Sequence, residues 1–181
     1  MNRKMIKLML VTSMFTMAGS AMAAIDTANL VVNATVLTNC AIGAGVIEFG
    51  PALQIVTNKG LGTLGSTANV DADSGTTISV ICTNGSSATI TANAGVNPSN
   101  VIGGADRAMK NSVTTDYLSY DLYTASARTT KLSTVNSIAY TGTGLATATT
   151  TIYGRISGAN LAVAKAGTYT DTVAMTITYL P

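Results

Sequence analysis

The chain has 181 residues, 47% apolar and only 10% charged, with ten basic against eight acidic side chains and a formal charge of +2. It contains no His, no Trp and two Cys, which excludes Ser-His-Asp and Cys-His nucleophile arrangements, imidazole metal sites and four-thiolate metal sites. Apolar residues in such excess over charged ones are the reverse of a disordered composition, and the length suits one domain with a short appendage.

Residues 1–23 have the form of a secretory signal peptide. Arg3, Lys4 and Lys7 open it, an apolar run follows from Leu8 to Ala18, and Ala21-Met22-Ala23 supplies an A-x-A cleavage site. The run falls short of the ~20 residues of a spanning helix, so no membrane span is expected after leader cleavage. Cleavage would leave a chain from Ala24 with seven basic and eight acidic residues, a net charge of −1. Its cations (Lys59, Arg107, Lys110, Arg128, Lys131, Arg155 and Lys165) are scattered, which gives no cluster for a phosphate backbone and no reason to expect a nucleic-acid partner.

From Ala24 to Asn39, Ala28, Leu30, Val32, Ala34 and Val36 alternate with Thr27, Asn29, Asn33 and Thr35, a strand pattern interrupted by Val31 and Leu37. At ~3.3 Å per residue this stretch extends ~50 Å, more than twice an average strand. It is either the first strand of its own domain or a terminal strand that leaves the domain and pairs elsewhere. Export would place Cys40 and Cys82 in an oxidising compartment, where the expected state is one disulfide closing a loop of 43 residues.

Residues 43–75 read as a Gly-rich loop. Gly60-Leu61-Gly62-Thr63-Leu64-Gly65 matches G-x-G-x-x-G by letter but opens no helical pattern, so it reads as surface loop and not as a dinucleotide site. Asp71-Ala72-Asp73-Ser74-Gly75 resembles a calcium loop, yet the Gly comes one place early and Cys82 stands where a bidentate Glu belongs. It reads as a polar turn and not as a metal site, with a weak surface calcium site at Asp71 and Asp73 as the alternative. Asn33-Ala34-Thr35 and Asn84-Gly85-Ser86 have the form of glycosylation sequons, a motif this short arising readily by chance.

Short alternating runs then follow. Residues 76–83 place Ile78, Val80 and Cys82 on one face, and Asn84-Gly85 predicts a two-residue hairpin into residues 88–92. A loop over 93–105 precedes strands at 117–123, 137–140 and 147–156. The clearest strand is 172–179, with Val173, Met175, Ile177 and Tyr179 on one face and Thr172, Ala174, Thr176 and Thr178 on the other. The acids (Asp26, Glu48, Asp71, Asp73, Asp106, Asp116, Asp121 and Asp171) fall in no catalytic motif, so no enzyme and no cofactor are expected. The pattern predicts an all-β antiparallel sandwich in one domain.

Several pieces carry a family resemblance: Cys40 before Ala41-Ile42-Gly43, Glu48-Phe49-Gly50, and Ile78-Ser79-Val80-Ile81-Cys82-Thr83-Asn84-Gly85. Arg107-Ala108-Met109, Tyr120-Asp121-Leu122-Tyr123, Ile152-Tyr153-Gly154-Arg155-Ile156 and Ala166-Gly167-Thr168-Tyr169-Thr170-Asp171-Thr172-Val173 continue it. In this order they resemble the spore coat protein U domain, which is also the pilin module of archaic, Csu-type chaperone–usher pili. The resemblance implies an incomplete immunoglobulin-like sandwich that lacks its last strand and ends just after its sixth, here 172–179. A periplasmic chaperone, and then the N-terminal segment of a neighbouring pilin at an outer-membrane usher, would fill the gap by donor-strand complementation. On this basis 24–38 is the donor segment running into the first strand, and 39–181 is the pilin domain. Ala28, Leu30, Val32, Ala34 and Val36 are the donor residues, while Val173, Met175, Ile177 and Tyr179 contribute to the acceptor groove. The implied role is a surface pilus subunit in adhesion and biofilm formation. The rivals are a secreted spore or cell-surface coat protein and a monomeric lectin-like binding module. The ending Tyr179-Leu180-Pro181 departs from the family's aromatic terminus, and a terminal Pro has no N–H to donate.

Overall fold

A computed structural model describes residues 26–43, 45–50 and 70–180. The expected leader, the G-x-G-x-x-G letters and most of the Gly-rich loop lie outside these residues. The chain divides into two compact units, Met1–Thr35 and Val36–Pro181. In the first, residues 26–35 form neither strand nor helix and are exposed.

The second unit is an all-β sandwich of two antiparallel sheets. Its strands are β1 (Cys40–Ile42), β2 (Ala72–Cys82), β3 (Ser87–Ala92), β4 (Arg107–Asn111), β5 (Tyr117–Tyr123), β6 (Ile138–Thr141), β7 (Gly144–Ile156), β8 (Tyr169–Thr170) and β9 (Met175–Tyr179). Antiparallel pairing builds a six-stranded sheet in the order β1-β2-β7-β5-β4-β8 and a three-stranded sheet in the order β6-β3-β9. A five-residue helix, α1 (Gly158–Ala162), starts at Ser157, whose hydroxyl accepts the Asn160 N–H as an N-cap. One apolar core joins the sheets, with Ile78, Val80, Leu118, Leu122, Ile152 and Ile156 from the larger and Ala88, Ile90 and Ala92 from the smaller.

Two expectations need correction. The polar turn at residues 71–75 is the beginning of β2, because β7 continues opposite it, pairing Ala72 with Ile156 and Asp73 with Arg155. Arg155 also neutralises the acids that suggested a calcium loop. Its Nε and Nη2 donate to the two Asp73 oxygens at 2.7 and 2.9 Å, and its Nη1 lies 3.0 Å from Asp71 Oδ2. Arg128 adds a second cation at 3.3 Å from Asp73.

The Asn84-Gly85 turn forms, but the hairpin does not. The Ser86 N–H donates to the Thr83 carbonyl at 3.0 Å and Gly85 takes φ +75°, yet β3 pairs with β6 and β9 and not with β2. The turn carries the chain from one sheet to the other. The connection from β6 to β7 crosses back at the same corner, held by Gly85 N–H to Gly142 O at 2.9 Å and Gly142 N–H to Ser86 O at 2.8 Å. Any side chain on Gly142 would collide with the Thr83 carbonyl, so glycine is what lets the crossings stack.

Arg107, counted above among scattered cations, is 1% exposed at the start of β4. Its Nε donates to Asn93 O at 2.9 Å, and its Nη2 donates to Leu132 O at 2.8 Å and Ala92 O at 3.3 Å. It thereby ties the larger sheet to the chain leaving β3. Burial lowers its pKa, opposed by the electrostatic influence of Tyr120 and the charges of Asp106, Asp121 and Asp171, and a guanidinium so placed remains charged.

Candidate functional site

The expected disulfide is present. Cys40 and Cys82 are ladder partners between β1 and β2, with their sulfurs bonded and Cα atoms 4.1 Å apart. Cys82 is in the core and Cys40 is half-buried, so the bridge staples the short edge strand β1 to the body of the larger sheet.

At the last strand the residues of 171–179 alternate as the sequence predicts, odd positions half-buried and even positions exposed. Val173, Met175, Ile177 and Tyr179 all pack against the core from this one face. The ladder itself begins at Met175 and not at Thr172, a correction to the expected 172–179 strand. Asn93 is the reason: its backbone N–H donates to Ala174 O at 3.0 Å, and its side-chain oxygen accepts the Ala174 N–H at 2.9 Å in place of a strand partner. On one side β9 pairs with β3, Met175 opposite Ala92 and Ile177 opposite Ile90. On its other side no strand pairs with it among the described residues.

Facing that open edge is a lip that the acceptor assignment omitted. Cys40, Ile42, Ile47 and Phe49 are half-buried and pack on the same core. β1 lies beside β9 without sharing a ladder, and beyond β1 the Gly43 N–H donates to Ser79 O at 2.8 Å. Ser74 Oγ then donates to Glu48 O. A Cβ on Gly154 would lie 2.8 Å from the Phe49 ring, so this glycine is what allows Phe49 to approach β7 so closely. Glu48-Phe49-Gly50 was a visible signal, but glycines break the alternation around it and hide the face.

Each end of this cleft is closed by a side-chain contact. At one, the Tyr179 hydroxyl donates to Asn39 Oδ1 at 3.2 Å. At the other, the Phe49 ring stands edge-on to Tyr120, centroids 6.1 Å apart, and the Tyr120 hydroxyl donates to Asp171 Oδ2 at 2.8 Å. Asp171 Oδ1 accepts the Val96 N–H at 3.0 Å and the Thr172 N–H at 2.8 Å. Asp171 in the Ala166–Val173 motif is therefore a structural pin that fixes where the last strand departs. Burial first, and then the hydrogen bond to Asp171, push the Tyr120 pKa well above its ordinary 10.0.

The expected donor residues Ala28, Leu30, Val32, Ala34 and Val36 are all exposed, Leu30 at 88% and Val32 and Val36 at 81%. The first four belong to the unit Met1–Thr35 and Val36 begins the next. None of them is in a ladder among the described residues. Among the described residues no cluster of three His, Cys, Asp or Glu side chains is suited to a metal. No helix among them is long and apolar enough to cross a membrane.

Three similarities bear on this arrangement. Among solved structures, a chain of the CsuC–CsuE chaperone–tip adhesion subunit pre-assembly complex, from archaic chaperone-usher Csu pili of Acinetobacter baumannii, superposes with a TM-score of 0.46 at 21% identity. That match covers 79% of this chain, which spans only 40% of the length of the other. Protein U of Myxococcus xanthus is 36% identical over 168 residues, covering 88% of each chain. The family model described as the Spore Coat Protein U domain matches residues 26–176, which take in β1 to β8 and the first two residues of β9, and the chain belongs to the Spore Coat Protein U domain family.

Proposed function

We propose that this protein is an exported structural subunit that polymerises by donor-strand exchange into a chaperone–usher surface pilus serving adhesion and biofilm formation. The observation that carries the reading is the open edge of β9 with β1 beside it, where Cys40, Ile42, Ile47 and Phe49 on one side and Val173, Met175, Ile177 and Tyr179 on the other are apolar and only half-buried. An unpaired strand edge beside an unfinished core is aggregation-prone unless another strand covers it. The alternating segment 28–36 has the form of such a strand: its backbone would complete the ladder with β9, and Leu30, Val32, Ala34 and Val36 would fill the cleft. A periplasmic chaperone would occupy the cleft during transit, and an outer-membrane usher would exchange it for a neighbour's segment. Because donor and acceptor are different surfaces, the contact does not close on itself and generates a fibre.

Deleting residues 24–32 tests the reading. The shortened chain should be exported and accept a chaperone but give no fibres by electron microscopy of the producing cells, whereas the intact chain gives them. Fibres from the shortened chain would sink it. A second reading, a secreted coat protein, is favoured by the family description and by the match to Protein U. Chaperone and usher genes beside this one favour the pilus; an insoluble surface layer without fibres favours the coat. A native protein that is wholly monomeric on sizing, with no assemblies and no chaperone complex, contradicts both.

A further inference from the structure

The segment that precedes β1 leaves the fold at the end of the cleft where β9 finishes, since Asn39 meets Tyr179 there. This raises a problem that rests on the donor-strand reading: the closest acceptor for residues 28–36 is their own cleft. A tethered segment faces its own site at an effective concentration on the order of millimolar, well above that of subunits in dilute solution. Self-docking would need the chain to run along β9 and then reverse through a hairpin at residues 37–39 before entering β1. A hairpin there must free the backbone groups of those residues to bond with one another.

They are not free. Thr83, one residue past the disulfide partner Cys82, takes them. Its N–H donates to Asn39 O at 2.9 Å, and its Oγ1 accepts the Asn39 N–H at 3.0 Å. The same hydroxyl donates to Leu37 O at 3.2 Å, with Asn39 O at 3.4 Å beside it. These bonds continue the register in which Cys40 faces Cys82, so the chain at residues 37–39 prolongs the line of β1 past the end of the sheet. The Tyr179 hydroxyl holds the Asn39 side chain from the opposite sheet. We infer that Thr83, with Asn39, is a positioning residue: an exit clasp that keeps residues 37–39 straight and directs the donor segment to a neighbour and away from its own cleft.

The choice of threonine follows from the geometry, because one hydroxyl both accepts from Asn39 and donates to Leu37. Valine keeps the shape and loses both bonds, a change of about tenfold in the balance between straight and reversed chain; serine keeps them. The test uses the full-length chain, separated by sizing into monomer and assemblies, with amide exchange of residues 28–36 measured in the monomer. Thr83→Val should lower the assembled fraction and make residues 28–36 about tenfold slower to exchange in the monomer, while Thr83→Ser behaves as wild type. Assembly of Thr83→Val at the wild-type level, or a loss of assembly without protection of residues 28–36, overturns the clasp. Should Thr83→Val fail to fold, Tyr179→Phe removes only the outer bond and must shift both readouts in the same direction, by a few-fold. Fibres from the chain lacking residues 24–32 would instead refute the donor-strand reading itself.

Discussion

Reducing the Cys40–Cys82 bridge should loosen one lip of the cleft and weaken the whole sandwich. β1 has only three residues, at the edge of the larger sheet, so little other than the bridge and its short ladder holds it. The partners are 42 positions apart, and chain-entropy arithmetic for a loop of that size gives about 4 kcal/mol, on the order of a thousandfold in the folding equilibrium. The clean comparison is wild type oxidised against wild type reduced while unfolded, since both keep the same sulfur atoms in the core. The chain has no Trp and seven Tyr, so tyrosine fluorescence in urea follows unfolding. With a urea dependence of roughly 1–3 kcal/mol per molar for a domain of this size, the midpoint should fall by between roughly 1 and 4 M. A loss under about 1 kcal/mol would refute the reasoning, because it would mean that the unfolded reduced chain already holds residues 40 and 82 together.

Arg107→Leu should cost about 3 kcal/mol or more in the same urea titration, since it leaves the buried carbonyls of Ala92, Asn93 and Leu132 without their donor; a near-neutral result would show that water replaces the guanidinium. Stability should decline above about pH 10, because the unfolded chain releases the Tyr120 proton near 10.0 while the folded chain retains it, Tyr120 alone contributing a slope of at most about 1.4 kcal/mol per pH unit. Tyr120→Phe should make that alkaline limb shallower, leaving the shares of Tyr123, raised by burial, and of Lys131 and Lys165, raised by their Asp121 and Asp116 partners; an unchanged limb would contradict the assignment. Arg155→Met should cost only about 1 kcal/mol, less in high salt, because its pairs with Asp71 and Asp73 are part-exposed.

Much of the fold was legible residue by residue. The two-residue period of 172–179 marks the inward face of the last strand, and 117–123 coincides with β5. β4 and β5 form a layer covered on both faces, with Arg107, Ala108, Leu118, Ser119 and Tyr120 all buried, so β4 shows no alternation to read. β1 and β8 are too short for a period to appear. Nor could composition tell that Arg107 is a core residue, because its partners are carbonyl groups, which every residue carries and no sequence marks.

By itself the sequence determined the apolar face of the last strand, the Asn84-Gly85 turn and that the two cysteines have only each other, because periodicity, turn chemistry and counting are local properties. Tertiary structure alone decided which strands lie side by side. It sent the Asn84-Gly85 turn across to the second sheet, replaced a ladder bond at Ala174 with the Asn93 side chain, and set β1 beside the open edge of β9. Hydrogen-bond partners in a sheet are chosen among residues far apart in the chain, by the shape of the core they jointly enclose, and that shape exists only once the chain has folded.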